Sequence, residues 1–200
     1  MGGDRDAAAR GWIILDRDGV INALCVDPEQ GTVDSPLHPS QVRLLPGAAE
    51  AIGRLCASGF EVHIATNQPA AAKGKTTHAN LEATHQRVLE LVEAAGGKIT
   101  SSQICRHQSE DQCSCRKPAT GLLEAALNAV PIEARRRAWM VGDGVTDVEA
   151  GQRLELKTAY LGPKRCDHCK CLEDRGLKPT GFFPSLSAFA DWICTQPEIS

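Results

Sequence analysis

The apolar positions of this chain fall in short unbroken runs, separated by stretches whose apolar residues recur at helical spacing. Trp12 to Leu15 run straight into Asp16, Arg17, Asp18 and Gly19. Such a run, ended by a turn residue, reads as a strand buried on both faces of a parallel sheet. FEVHIAT at 60–66, with its β-branched content, reads as a second strand, and 99–105, 138–141 and 158–161 as three more. Helical spacing predicts helices over 48–58, 76–95, 120–130, 146–153 and 185–193. The first has Ala49, Ile52, Leu55 and Cys56 on one face and Gly59 as its stop. Residues 23–46, rich in Asp, Pro, Ser and Gly without periodicity, read as a loop or flap. Loops of that length in compact domains are often functional. Alternating strands and helices imply an α/β protein with a Rossmann-like, doubly wound parallel sheet.

Composition narrows the class without changing it. Two hundred residues fit one domain with a single sizeable core. Hydrophobic content of 42% and charged content of 24% suit a globular protein. A net charge of -3 gives no reason to expect nucleic acid or an anionic membrane as partner. No apolar run approaches a spanning helix, and MGGDRDAAARG lacks the apolar core of a signal peptide. The expectation is a cytoplasmic monomer with a flexible start over 1–10.

In a doubly wound sheet the carboxyl ends of the strands share one edge, where ligands bind. Residues two apart on a strand point the same way, so Asp16 and Asp18 should share a side, with Arg17 pointing away. The second strand brings Thr66 and Asn67 to the same edge. The strand over 138–141 brings Asp143, with Asp147 one helical turn on, and Lys117 precedes a helix. The carboxylates of Asp16, Asp18 and Asp143, a lysine and a Thr-Asn pair suit a magnesium ion, a phosphoryl group and an attacking carboxylate.

These residues carry a resemblance. The chain resembles the haloacid dehalogenase-type hydrolases through four stretches in order: DRDGV at 16–20, TNQ at 66–68, Lys117, and GDGVTD at 142–147. The second aspartate of the first stretch marks the phosphatases of that superfamily. The resemblance implies Asp16 as nucleophile, forming an aspartyl-phosphate, and Asp18 as the acid and base for leaving group and water. Asp16, Asp18 through its backbone carbonyl, and Asp143 would hold magnesium, while Thr66, Asn67 and Lys117 would bind the phosphoryl oxygens.

Nine cysteines are many, and most fall in two tight groups. Cys105, His107, Cys113 and Cys115 supply four soft or borderline ligands within a short loop, the number tetrahedral zinc takes. Structural zinc in finger peptides is worth about 10–16 kcal/mol. The loop ends on Arg116 and Lys117, so zinc would fix the lysine's position. Cys166, Cys169 and Cys171, with His168 among them, read as a Cys-rich surface loop over 162–181 rather than a second metal site.

The zinc loop, and spacing too tight for a separate cap domain, resemble one branch of the superfamily. It contains the D-glycero-D-manno-heptose-1,7-bisphosphate and histidinol-phosphate phosphatases. TNQPAAAKGK at 66–75 resembles the heptose enzymes, whereas the short gap between His107 and Cys113 resembles the histidinol-phosphate enzymes. Gly144 departs from both, which usually carry Lys or Arg there. Asn22, Lys73, Lys75 and Arg116 are the candidates for contacting the rest of the substrate, under loops 23–40 and 68–75. The expectation is a sugar bisphosphate phosphatase of the heptose type. Histidinol phosphate, related octose or heptose phosphates, and a zinc-stabilised binding protein without turnover are the alternatives.

Overall fold

The computed structural model describes residues 9–27, 31–163 and 166–197. Part of the expected flexible start, residues 1–8, lies outside them, as do residues 28–30 of the expected flap.

Strand β1 (Gly11–Leu15) lies at the centre of the sheet, buried at every position. It pairs in parallel with β4 (Phe60–Asn67) on one side and β6 (Ala138–Gly142) on the other. Beyond β4 lies β5 (Ser101–Cys105), and beyond β6 lie β7 (Lys157–Leu161) and β8 (Gly181–Phe183), all parallel. Alternation along β1 explains its unbroken apolar run. Ile13 and Leu15 face one core with helices α1 (Ala48–Ala57), α2 (His78–Ala94) and α6 (Leu186–Thr195). Trp12 and Ile14 face a second core with α3 (Gly121–Ala126) and the flank of α4 (Val145–Arg153). No helix among the described residues is long and apolar enough to cross a membrane.

Four parts of the chain depart from the sequence expectation. The sheet carries a sixth strand, β8, at the edge beside β7, beyond the five expected. The flap contains a two-stranded hairpin, β2 (Cys25–Asp27) with β3 (Thr32–Asp34). Its cross-strand pair Val26 and Val33 is exposed at 68% and 59%, so no buried alternation marked it as strand. The expected Cys-rich loop contains a helix, α5 (Cys166–Asp174), where Leu172 packs with Tyr160 and Val148. One apolar anchor is too little periodicity to read as a helix. Finally, α3 stops at Ala126, although Leu127 and Val130 remain buried in the same core. Their apolar spacing persists because the turns that follow still face the core, not because the helix continues.

Candidate active site

The carboxyl ends of β1, β4 and β6 gather the acidic and basic side chains. Asp16 follows β1 directly, and its N–H donates to Val141 O at 2.9 Å, extending the strand pairing by one residue. Lys117 is 2% exposed, with Nζ 3.0 Å from Asp16 Oδ1 and 2.7 Å from Asp147 Oδ1. It also donates to Ala65 O at 2.6 Å. Burial pulls the Lys117 pKa down, but Asp147 and Asp16 outweigh it, leaving it above the usual value and the ammonium charged. Burial pushes the Asp16 pKa up to about 6; Lys117 opposes this, and Asp147 and Asp18 add to it.

Two glycines make the cluster possible. A Cβ on Gly142 would lie 2.2 Å from the Asp147 carboxyl group, which caps α4 by accepting from Gly144 N–H at 3.0 Å. Gly19 has φ of 81°, and a Cβ there would lie 2.2 Å from Asp143 Oδ2. The DxDG turn thus needs glycine both for its backbone and for the approach of Asp143. Asp16, Asp143 and Asp147 each offer an oxygen within 4.8 Å of the others.

Lys117 is placed by the neighbouring loop. Asn67 Oδ1 accepts from Lys117 N–H, and Asn67 Nδ2 donates to Lys117 O, both at 3.1 Å. On the other side, Cys105, His107, Cys113 and Cys115 converge. Their sulfurs lie 3.2, 3.5 and 3.7 Å apart, and His107 Nδ1 is 3.3 and 3.6 Å from two of them. Tetrahedral zinc with Zn–S of about 2.3 Å sets its sulfurs about 3.8 Å apart, near this spacing. Burial and then the neighbouring thiols push the Cys115 thiol up to about 12, a crowding of sulfur that a cation would relieve.

A family model described as HAD-hydrolase-like matches residues 114–188. D-glycero-beta-D-manno-heptose-1,7-bisphosphate 7-phosphatase of Pseudomonas aeruginosa is 38% identical over 76% of this chain and 82% of its own length. The chain belongs to the haloacid dehalogenase-type hydrolases. The Pseudomonas putida enzyme of the same name is 37% identical over 89% of this chain and 96% of its own. Among solved structures, the D,D-heptose 1,7-bisphosphate phosphatase of B. bronchiseptica, complexed with magnesium and phosphate, superposes with a TM-score of 0.75. It is 28% identical, over 92% of this chain and 97% of that one.

Within this haloacid dehalogenase-type fold, Asp16 lies with Asp143 and Lys117 where the sequence placed them, and Thr66, in β4, accepts from Gln68 through its hydroxyl. The carboxylate of Asp18 does not join the other three; it turns to Arg17, Asn22 and Gln68. Arg17, expected to point away, is wholly buried against it. The chain turns at Asp18-Gly19, so strand alternation no longer governs these side chains. Asn22, expected to touch substrate, has no exposed surface, and its amide donates to Asp18 Oδ1 at 2.8 Å. The Asn67 amide is engaged by the Lys117 backbone rather than open to a phosphoryl group. Lys75 pairs with Asp34 of the hairpin, and Thr76 Oγ1 donates to Leu37 O at 2.9 Å, so the two covering loops are joined. Lys73 is exposed, and half-buried Arg116 donates to His107 O at 3.2 Å. Asp147 and Gln68 are the site residues that the sequence roles passed over, though both stand inside the quoted motifs. In the second cysteine group the side chain of Cys166 lies outside the described residues, and His168 Nδ1 is 2.5 Å from Tyr160 Oη.

Three convergent carboxylates are hard oxygen donors, and they outnumber Lys117, the ammonium buried among them. That donor set fits magnesium. The Cys₃His set could hold zinc.

Proposed function

We propose that this phosphatase is magnesium-dependent and acts on a small sugar bisphosphate, D-glycero-D-manno-heptose 1,7-bisphosphate, releasing phosphate through an aspartyl-phosphate. The observation that carries the reading is the Asp16 carboxylate set 3.0 Å from the buried Lys117 ammonium, beside Asp143 and Asp147. Asp16 bonds to phosphorus as the bond to the sugar oxygen breaks, and Asp18 supplies that oxygen's proton. Asp18 then takes a proton from the water that attacks the aspartyl-phosphate. Lys117 and the Thr66 hydroxyl face the phosphoryl oxygens, and Asn67 serves by fixing Lys117. Asp16, the Asp18 carbonyl and Asp143 would hold magnesium, which offsets the repulsion between carboxylate and phosphate. Zinc on Cys105, His107, Cys113 and Cys115 would be structural. Arg116, next to Lys117, and Lys73 are the cations for the second phosphate, while Lys75 anchors the hairpin.

The relatives named as heptose bisphosphate phosphatases support this substrate over histidinol phosphate. Phosphate release from the heptose bisphosphate should exceed release from histidinol phosphate in kcat/KM, and the reverse order would overturn the substrate. Asp16→Asn should abolish release from both while the thermal unfolding profile stays that of a folded protein. Retained turnover would sink the nucleophile.

A further inference from the structure

Arg17 is among the largest side chains with no exposed surface, and it stands beside the nucleophile. Its guanidinium takes Asp18 in a fork: Nε and Nη2 donate to Oδ1 at 3.2 and 3.1 Å, and Nη2 also reaches Oδ2 at 3.1 Å. Two further donors, from separate segments, complete the shell. Asn22 Nδ2 lies 2.8 Å from Oδ1, and Gln68 Nε2 lies 2.5 Å from Oδ2 and 2.9 Å from Thr66 Oγ1. Asp18 is thus held on both oxygens by side chains that are themselves 0–2% exposed.

His85 of α2, itself 4% exposed, lies near enough to Arg17 to feel its charge. Burial, and then Arg17, push its pKa down to about 4, so the ring is neutral at ordinary pH and does not compete for Asp18. Among the described residues, Arg17 Nη1 has no hydrogen-bond partner. Every side-chain bond found for this guanidinium runs to Asp18. A buried ion pair contributes little net stability, because desolvation offsets most of its attraction. What a bidentate fork does supply is orientation.

We propose that Arg17 is a positioning residue for leaving-group departure. With Gln68 and Asn22 it sets the Asp18 carboxyl group in the geometry from which it serves the sugar oxygen. The proposal rests on the phosphatase reading above. As the Asp16–phosphorus bond forms and the phosphorus–oxygen bond breaks, the electron pair goes to the leaving oxygen. A sugar alkoxide then needs the Asp18 proton. p-Nitrophenolate, a stable anion, does not.

The two leaving groups therefore test it. Arg17→Lys, Arg17→Met and Gln68→Met are compared with the unaltered protein on heptose 1,7-bisphosphate and on p-nitrophenyl phosphate. General acid catalysis is worth ~10²–10⁴-fold. In each variant the single-turnover rate of leaving-group release, which precedes the water attack common to both substrates, should fall by ~10²-fold or more for the sugar phosphate and by less than ~10-fold for the aryl phosphate. Lysine should not rescue, because it lacks the planar fork. In an Asp18→Asn background, Arg17→Lys should add less than a ~3-fold further loss, since coupled residues are not additive. Equal losses on both substrates, a faster Arg17→Lys enzyme, or full additivity with Asp18→Asn would overturn the role of Arg17 alone. Absence of phosphate release by the unaltered protein would overturn the parent reading instead. Arg17→Lys and Gln68→Met decide the matter if Arg17→Met does not fold.

Discussion

Asp147→Asn removes one charge from the buried centre of the site and almost nothing else. Asp147 is 2% exposed, with Oδ1 2.7 Å from Lys117 Nζ and Oδ2 on the Gly144 N–H. Breaking one partner of a buried ion pair costs about 3–5 kcal/mol. Lys117 keeps Asp16 and the Ala65 carbonyl, and asparagine can still accept from Gly144, so the low end, about 3 kcal/mol, is expected. For a chain of this size that lowers Tm by about 6–12 °C. Activity should fall by ~10²-fold, as when one electrostatic contact to a developing charge is lost. Urea unfolding followed by circular dichroism reads the first effect, and phosphate release the second. A double-mutant cycle with Lys117→Met makes the reasoning refutable. With the lysine gone, Asp147 is a buried carboxylate without its cation, so Asp147→Asn should stabilise that variant. The effect of one substitution must reverse sign in the two backgrounds. Equal destabilisation in both, or a loss below about 0.5 kcal/mol in the native background, would show that the pair at 2.7 Å does not organise the site.

His85 gives a pH signature. Its folded pKa of about 4 lies below the ordinary 6.5, so the unfolded chain binds the extra proton between those values. Stability from this group is complete above about pH 6.5 and is lost as pH falls toward 4, by about 2 kcal/mol at pH 5. Unfolding free energies at pH 7 and 5 should differ by about that much more in the native protein than in His85→Phe, and equal differences would refute the assignment. Zinc, measured by elemental analysis, is expected at close to one per chain, and Cys113→Ser should lower both zinc content and turnover. Full activity in zinc-free protein would remove the link from the cysteine loop to Lys117. Gly19→Ala should destabilise by more than about 1 kcal/mol, because its φ is 81° and the added Cβ meets Asp143. The same variant should need more magnesium for half-maximal rate, and an unchanged magnesium dependence would show that Asp143 is not displaced.

Features set by short-range physics were legible in adjacent residues. Trp12 to Leu15 announced a two-faced strand because both of its sides meet a core. The convergence of Cys105, His107, Cys113 and Cys115 was legible because the four lie close together along the chain. The order of DRDGV, TNQ, Lys117 and GDGVTD was enough to place their ends on one edge, since connections in such sheets leave few alternatives. Tertiary structure decided whatever depends on partners distant along the chain. Asn67 is fifty positions from the lysine whose backbone it holds, and Gln68 fifty from Asp18. Nothing local distinguishes an amide that binds phosphate from one that binds a backbone. Asp147 counts as part of the site only because α4 packs it onto Lys117 at the end of β6. Arg17 is the clearest case. Alternation along β1 sends it to the far side, but the Gly19 turn breaks the period two residues later, and a cation placed away from the site by its sequence position closes on Asp18 inside it.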